Sequence, residues 1–198
     1  SGRHDRPLAD RGYRIFGLDF SPALLSSACE CKQRRPGRYP LYVRADARDS
    51  VFREGAFDIV LNLFTSFGYF SDEENRAFIR EIGRILRPGG RYYIDYLNPP
   101  RVLETLVPES RSVKDGVTIT ERRKYDSRAC RIEKAIILDR DGETKEFHES
   151  VRLYDCGELM AMMNEAGLSI DGVLGSIAGE VYTESSPRMI LYGARRRG

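Results

Sequence analysis

The 198-residue sequence predicts an α/β fold built on a mostly parallel sheet. Three observations carry this reading. Short apolar runs alternate with amphipathic segments through the first half of the chain. Acids stand at the ends of those runs, at Asp19, Asp46 and Asp95. The helical segments open on capping residues and close at Gly or Pro-Gly. Alternation of this kind implies parallel strands joined by right-handed crossovers.

The elements follow in order. Asp5 to Asp10 reads as the end of a short helix closed near Gly12, where Pro7 is tolerated only in a first turn. Residues 14–19 form a strand. Ser21 and Pro22 supply the N-cap and first position of a helix over 22–34, with Leu24, Leu25 and Ala28 as its apolar side and Pro36-Gly37 as its stop. Leu41 to Val43 is a strand leading to Asp46. The apolar run from Phe57 to Leu63 suits a strand buried on both faces. Ser71-Asp-Glu-Glu74 is a capping box, and Phe78, Ile79, Ile82, Ile85 and Leu86 form one stripe of the helix it opens. That helix is expected to stop at Arg87-Pro-Gly-Gly90, before a strand over 91–97.

The pattern changes after Pro99-Pro100. Residues 117–125, 130–139 and 145–154 read as three strands joined by turns at Asp126-Ser127 and Asp141-Gly142, so they pair antiparallel. Asp155 and Glu158 cap a helix running to Ala166 and closed by Gly167. Two strands near 168–174 and 188–194 end the chain, and the long loop between them has the composition of a functional loop.

Composition narrows the function. Thirty-two basic and 30 acidic residues leave a net charge of +2, without the basic excess of a dedicated nucleic-acid binder. The Arg run at 195–197 reads as a solvated tail. No apolar run approaches the ~18 residues of a membrane span, and no signal peptide is visible. The four cysteines, Cys29, Cys31, Cys130 and Cys156, have no zinc-ligand spacing and read as reduced thiols of a cytoplasmic protein. No metal site is expected.

Asp19 is the most informative single residue. It ends a buried apolar run and directly precedes a helix start, and an acid there calls for a binding partner. At strand tips of open α/β sheets an acid can hold a ribose through its hydroxyls. The plainer alternative is a helix-flanking acid stabilising the dipole. Asp46 is either a second ligand-binding acid or a turn acid. Asp95 and Asn98 are open between substrate contact and local capping. Phe64, Phe67, Tyr69 and Phe70 form either core or a substrate wall. His148 reads as a surface residue, flanked by Glu146 and Glu149.

Taken in order and spacing, several segments resemble the class I S-adenosylmethionine-dependent methyltransferases, in particular small bacterial enzymes acting on small molecules. They are Gly2-Arg-His4, Gly12-Tyr-Arg14, Gly17-Leu-Asp-Phe-Ser-Pro22, Ala45-Asp-Ala47, Phe57-Asp-Ile-Val60, Phe64 to Phe70, Arg84-Ile-Leu-Arg-Pro-Gly-Gly90 and Ala166-Gly-Leu168. The resemblance implies a Rossmann-like three-layer sandwich, its last strand antiparallel, carrying an antiparallel insert over 111–154 that serves as a lid or a dimerisation surface. It implies S-adenosylmethionine as cofactor and a small-molecule methyl acceptor as partner. Asp19 would accept from the ribose hydroxyls, with Phe20 beside it. Asp46 and the Ala47 N–H would meet the adenine. Gly2 would lie under the methionine moiety, Arg3 or His4 would approach its carboxylate, and Leu63 with the residues after it would line the sulfonium side. Phe67, Tyr69, Asn98 and Tyr182 are candidates for substrate contact, and no catalytic residue is assigned.

Family members carry an Asp/Glu-x-Gly-x-Gly-x-Gly stretch at the end of a first strand. Here the chain opens at Ser1-Gly2, so the single domain over 1–198 is expected to be N-terminally incomplete. Two alternatives stand beside the methyltransferase. A nicotinamide-dependent oxidoreductase also places an acid after its second strand. A truncated, non-catalytic interaction module is the other.

Overall fold

The computed structural model describes residues 2–30 and 40–197. Cys31 and the expected helix stop at Pro36-Gly37 lie outside the described residues, as does the end of the helix expected over 22–34. The chain divides into two compact units, Ser1–Arg53 and Glu54–Gly198.

The first unit pairs β1 (Phe16–Asp19) with β2 (Leu41–Arg44) in parallel, with Asp19 opposite Arg44. Helix α1 spans Asp5–Asp10 and α2 starts at Pro22, with described residues to Glu30. Ser21 Oγ accepts from the Leu24 N–H at 3.4 Å, as an N-cap side chain does. Ala28 is buried, whereas Leu24 is 47% exposed, contrary to its expected place on the apolar side. Adjacent helical residues do not share a face, so a two-stranded sheet cannot cover both Leu24 and Leu25.

In the second unit one sheet has the order β3 (Phe57–Asn62), β4 (Leu86–Tyr96), β10 (Met189–Arg195), β9 (Leu168–Leu174). β3 and β4 are parallel; β10 runs antiparallel to both β4 and β9. Helices α3 (Asp72–Ile85) and α5 (Cys156–Glu165) each open on a complete capping box. α3 packs on β4 and on α5, and α5 packs on β9, which places both helices on one face of the sheet. Tyr92, Ile94 and Tyr96 alternate toward one face of β4 and are fully buried. Phe67 joins this core, its ring 5.5 Å from both Phe78 and Tyr96.

Several elements differ from the sequence reading. Arg87-Pro-Gly-Gly90 does not separate helix from strand. β4 begins at Leu86 and absorbs these residues as a bulge, with Gly89 at φ +73° and a register shift against β3 between Phe57 and Ile59. β3 is not buried on both faces. Its one strand partner among the described residues is β4, and Ile59 and Leu61 are about half exposed. The short helix α4 (Pro99–Glu104) was not expected; its two prolines occupy the first helical positions, where no amide partner is needed.

The appended sheet has four strands rather than three: β5 (Glu109–Lys114), β6 (Val117–Asp126), β7 (Arg131–Arg140) and β8 (Glu143–Arg152), all antiparallel in sequence order. β5 is not legible in the sequence, since Glu-Ser-Arg-Ser-Val-Lys shows no alternation of apolar and polar residues; it is an exposed edge strand, held by its ladder to β6.

One glycine marks the tightest point of the main sheet. A Cβ at Gly193 would lie 1.9 Å from the Ser169 carbonyl oxygen and 3.0 Å from the Tyr92 hydroxyl. Gly193→Ala is expected to destabilise the protein by about 3 kcal/mol, seen as a lower denaturant midpoint with an unchanged m-value.

Candidate functional site

In each unit the chemically distinctive residues gather at the carboxyl ends of the parallel strands, where open α/β sheets receive ligands. In the first unit Asp19 sits at the tip of β1, partly buried. Its Oδ1 accepts from the Ser21 N–H at 2.9 Å, which fixes the carboxylate. Oδ2 accepts no hydrogen bond among the described residues. Phe20 is 67% exposed, with the Arg44 guanidinium 5.6 Å from its ring centroid.

Asp46, just beyond β2, is engaged by Arg48. Oδ1 accepts from the Arg48 N–H and Nε, each at 2.9 Å, and Oδ2 from Nη2 at 2.5 Å. These bonds hold its carboxyl at about 2, against an ordinary value of 3.8; the side-chain bond from Arg48 is the largest cause and its backbone N–H the next. A carboxylate offers about four acceptor sites, so one remains. Ala47 is half-buried in the turn that follows.

Gly2 has φ +68°, and a Cβ there would come within 2.2 Å of the Tyr42 hydroxyl. A Cβ at Gly17 would lie 2.7 Å from the Tyr42 ring. Tyr42 thus fills the space that both glycines leave open. Arg3 is exposed, and its Nε donates to His4 Nε2 at 3.0 Å.

In the second unit the rim consists of the segment after β3, the end of β4 and the loop between β9 and β10. Leu63 is half-buried. Phe64 and Thr65 follow at φ 54° and 57°, left-handed values that cost a non-glycine residue of order 1–3 kcal/mol each. Asp95, with its side chain only 4% exposed, accepts from the Phe64 N–H at 2.9 Å and from Arg188 Nε at 2.6 Å. Arg188 Nη2 also donates to Thr65 Oγ1 at 2.9 Å.

A second arginine closes the other end of this segment. Arg131, at the start of β7, donates to the carbonyls of Gly68, Tyr69 and Phe70 at 3.0 to 3.3 Å, and to both the hydroxyl and the carbonyl of Ser150. The Arg152 N–H donates to Gly68 O at 2.8 Å. The appended sheet is therefore bonded directly to the rim.

The sequence-derived substrate candidates separate here. Phe67 is fully buried in the aromatic core. Asn98 is also fully buried: its Nδ2 donates to the carbonyls of Thr183, Glu184 and Ser186, and its Oδ1 accepts from the Tyr182 hydroxyl at 3.0 Å. Asn98 and Tyr182 thus hold the loop after β9. Tyr69 is 45% exposed. Its hydroxyl pKa is raised, first by burial and then by Glu149, so it is a neutral group at physiological pH. His148 lies exposed on β8, 3.4 Å from Glu146. Arg131, Arg188 and Thr65 were not singled out from sequence. Nothing marks Arg188 beyond its place at the end of the long loop, and Arg131 reads as one more charge on an alternating strand.

Parallel strand pairs joined through helices, with acids at their carboxyl tips, define a Rossmann-like α/β fold. The comparisons give the family. A methyltransferase-domain family model matches residues 1–94. The cypemycin N-terminal methyltransferase of Streptomyces sp is 31% identical over 190 residues, covering 93% of this chain and 75% of that protein. Among solved structures, the CcbJ methyltransferase from Streptomyces caelestis superposes with a TM-score of 0.85 at 22% identity, over 98% of this chain and 80% of that one. CalS10, an amino pentose methyltransferase from Micromonospora echinaspora solved with S-adenosylmethionine bound, superposes with a TM-score of 0.63 at 23% identity, over 98% and 79% of the two chains. The chain belongs to the class I S-adenosylmethionine-dependent methyltransferases, and its cofactor is S-adenosylmethionine. That family membership displaces the nicotinamide-dependent alternative. No helix among the described residues is long and apolar enough to cross a membrane.

The residues present fit an adenosyl group. Asp19 keeps a fixed carboxylate with Oδ2 available to hydroxyl donors, and Asp46 keeps one acceptor site beside its arginine.

Two outcomes follow from this geometry. A carboxyl whose folded pKa is depressed stabilises the fold above its unfolded value and loses that contribution as pH falls through the folded one. Asp46 should accordingly titrate near 2 by carboxyl NMR, and Arg48→Met should return it toward 3.8. Arg131→Met leaves the Tyr69 carbonyl without its donor, while Gly68 O keeps the Arg152 N–H and Phe70 O the Asn75 side chain, and should cost on the order of 1–3 kcal/mol in chemical denaturation, with new proteolytic sensitivity at Tyr69.

Proposed function

We propose that this chain transfers the methyl group of S-adenosylmethionine to a small-molecule nucleophile, an amine nitrogen in the first place, with oxygen or carbon as alternatives. The observation that carries the reading is Asp19, a carboxylate fixed by the Ser21 N–H at the tip of β1 with Oδ2 turned to no partner among the described residues. A ribose diol offers the two donors such a group accepts. The preference for nitrogen rests on the relatives, one named for an N-terminal substrate and one for an amino pentose.

When bound, the cofactor supplies a methyl group already activated on a sulfonium. The chain's own residues then have to bind, orient and exclude water. Asp19 takes the ribose and Phe20 flanks it. Asp46 takes the adenine amino group with its remaining acceptor site, and the Ala47 N–H a ring nitrogen. Gly2 and Arg3 serve the methionine end, and Leu63 the sulfonium side. Tyr69 is the strongest contact for the acceptor, since Phe67 and Asn98 are spent on the core and on the loop after β9. Aligning donor and acceptor in this way accounts for several orders of magnitude in rate. A general base is required only for an acceptor that arrives protonated, so none of these side chains needs to be one.

Calorimetric titration tests the reading. S-adenosylhomocysteine should bind with measurable heat and NAD should not. Asp19→Asn keeps the turn but weakens the charge-assisted bonds, and should lower the affinity for S-adenosylhomocysteine roughly tenfold or more. Binding of NAD alone, or an affinity indifferent to Asp19, would sink the proposal.

A further inference from the structure

Two consecutive non-glycine residues in the left-handed region, one of them β-branched, are a marked departure from backbone preference. Phe64 and Thr65 adopt it at the tip of β3. Three bonds reach them, and a fourth ties their two partners together. The Phe64 N–H donates to Asp95 Oδ2 at 2.9 Å and the Thr65 N–H to Asp95 O at 3.1 Å. Arg188 Nη2 donates to Thr65 Oγ1 at 2.9 Å, and Arg188 Nε to Asp95 Oδ1 at 2.6 Å. Arg188 is itself anchored, its backbone N–H donating to Gly175 O at 2.9 Å.

Stability gives a weak motive for this arrangement. A buried ion pair is seldom better than the apolar residues that could replace it. Glycine would take the same turn without strain. Strained backbone that is over-determined by its surroundings gathers at functional sites, and this turn lies where ligands of open α/β sheets bind.

We infer that Asp95 and Arg188 are positioning residues for methyl transfer, holding Phe64 and Thr65 in the conformation that receives the methyl-bearing end of the cofactor and the acceptor. The inference rests on the methyltransferase reading above. Neither residue touches the reacting atoms; Asp95 acts through the backbone N–H groups of the turn, and Arg188 through the Thr65 hydroxyl and the Asp95 carboxylate.

The test compares the wild-type protein with Arg188→Lys and Asp95→Asn. Amide hydrogen exchange is followed by NMR at Phe64 and Thr65, with Ile94 and Leu191 in the β4–β10 ladder as internal references. S-adenosylhomocysteine affinity is measured by calorimetry on the same samples. The lysine keeps a charge beside Asp95 but cannot also bridge to Thr65. Exchange at Phe64 and Thr65 should rise roughly tenfold while Ile94 and Leu191 stay unchanged. The affinity for S-adenosylhomocysteine should fall roughly tenfold in the same variants. Faster exchange with unaltered affinity would make the pair merely structural and overturn the inference, as would unaltered exchange in folded variants. If Asp95→Asn fails to fold, Arg188→Lys decides. A wild-type protein that binds no S-adenosylhomocysteine would instead defeat the methyltransferase reading itself, and the inference with it.

Discussion

The backbone of residues 64–70 imposes the constraint around which the second unit is arranged. This segment leaves β3 without entering another strand or a helix, so its amides and carbonyls lack ladder partners. Polar backbone groups packed against protein have to be satisfied from somewhere. Here the partners come from distant parts of the chain: Asp95 at the end of β4, Arg131 on β7 and the backbone of Arg152 on β8, while Arg188 before β10 takes the Thr65 hydroxyl and the Asp95 carboxylate. Guanidinium groups suit the task because a planar fork with five donors can serve several carbonyls at once.

This arrangement accounts for features that otherwise look unrelated. Gly68 has φ +99° and a Cβ there would press on the Tyr96 hydroxyl at 2.9 Å, so the segment can pass close to β4 only with glycine at that point. Tyr96 turns its hydroxyl to the Arg152 carbonyl, where β8 returns to the body of the unit. Arg152 lies over the Tyr154 ring at 4.6 Å and pairs with Glu158, the acid that also closes the capping box of α5. Burial raises the pKa of the Tyr96 and Tyr154 hydroxyls and keeps them protonated donors well above neutral pH. The rim, the appended sheet and the last helix are thereby one bonded assembly within this unit.

Legibility from sequence followed the range of the interactions. Capping boxes at Ser71 and Asp155 act within one helical turn, and both form as read. The turn at Asp141-Gly142 takes positive φ at both residues, as a tight hairpin demands. By contrast β5 is illegible in sequence because its pairing with β6, and no pattern of its own, makes it a strand. The Arg87–Gly90 stretch carries a helix-stop signature, yet pairing with β3 draws it into a bulged strand. The place of Asn98 and Phe67 after strand tips suggests substrate contact, and tertiary packing assigns both to the interior.

The sequence by itself determined the alternation of strands and helices, the acids at the strand tips and the family to which they belong, because these depend on local pattern and short spacing. Only the tertiary structure decided what those acids touch. Asp19 is fixed by its own turn, two residues on. Asp46 answers to an arginine at the same short spacing, but Asp95 answers to one 93 residues away. A bond across that distance in sequence leaves no periodicity to read, since the pairing exists only once β4 and β10 lie side by side.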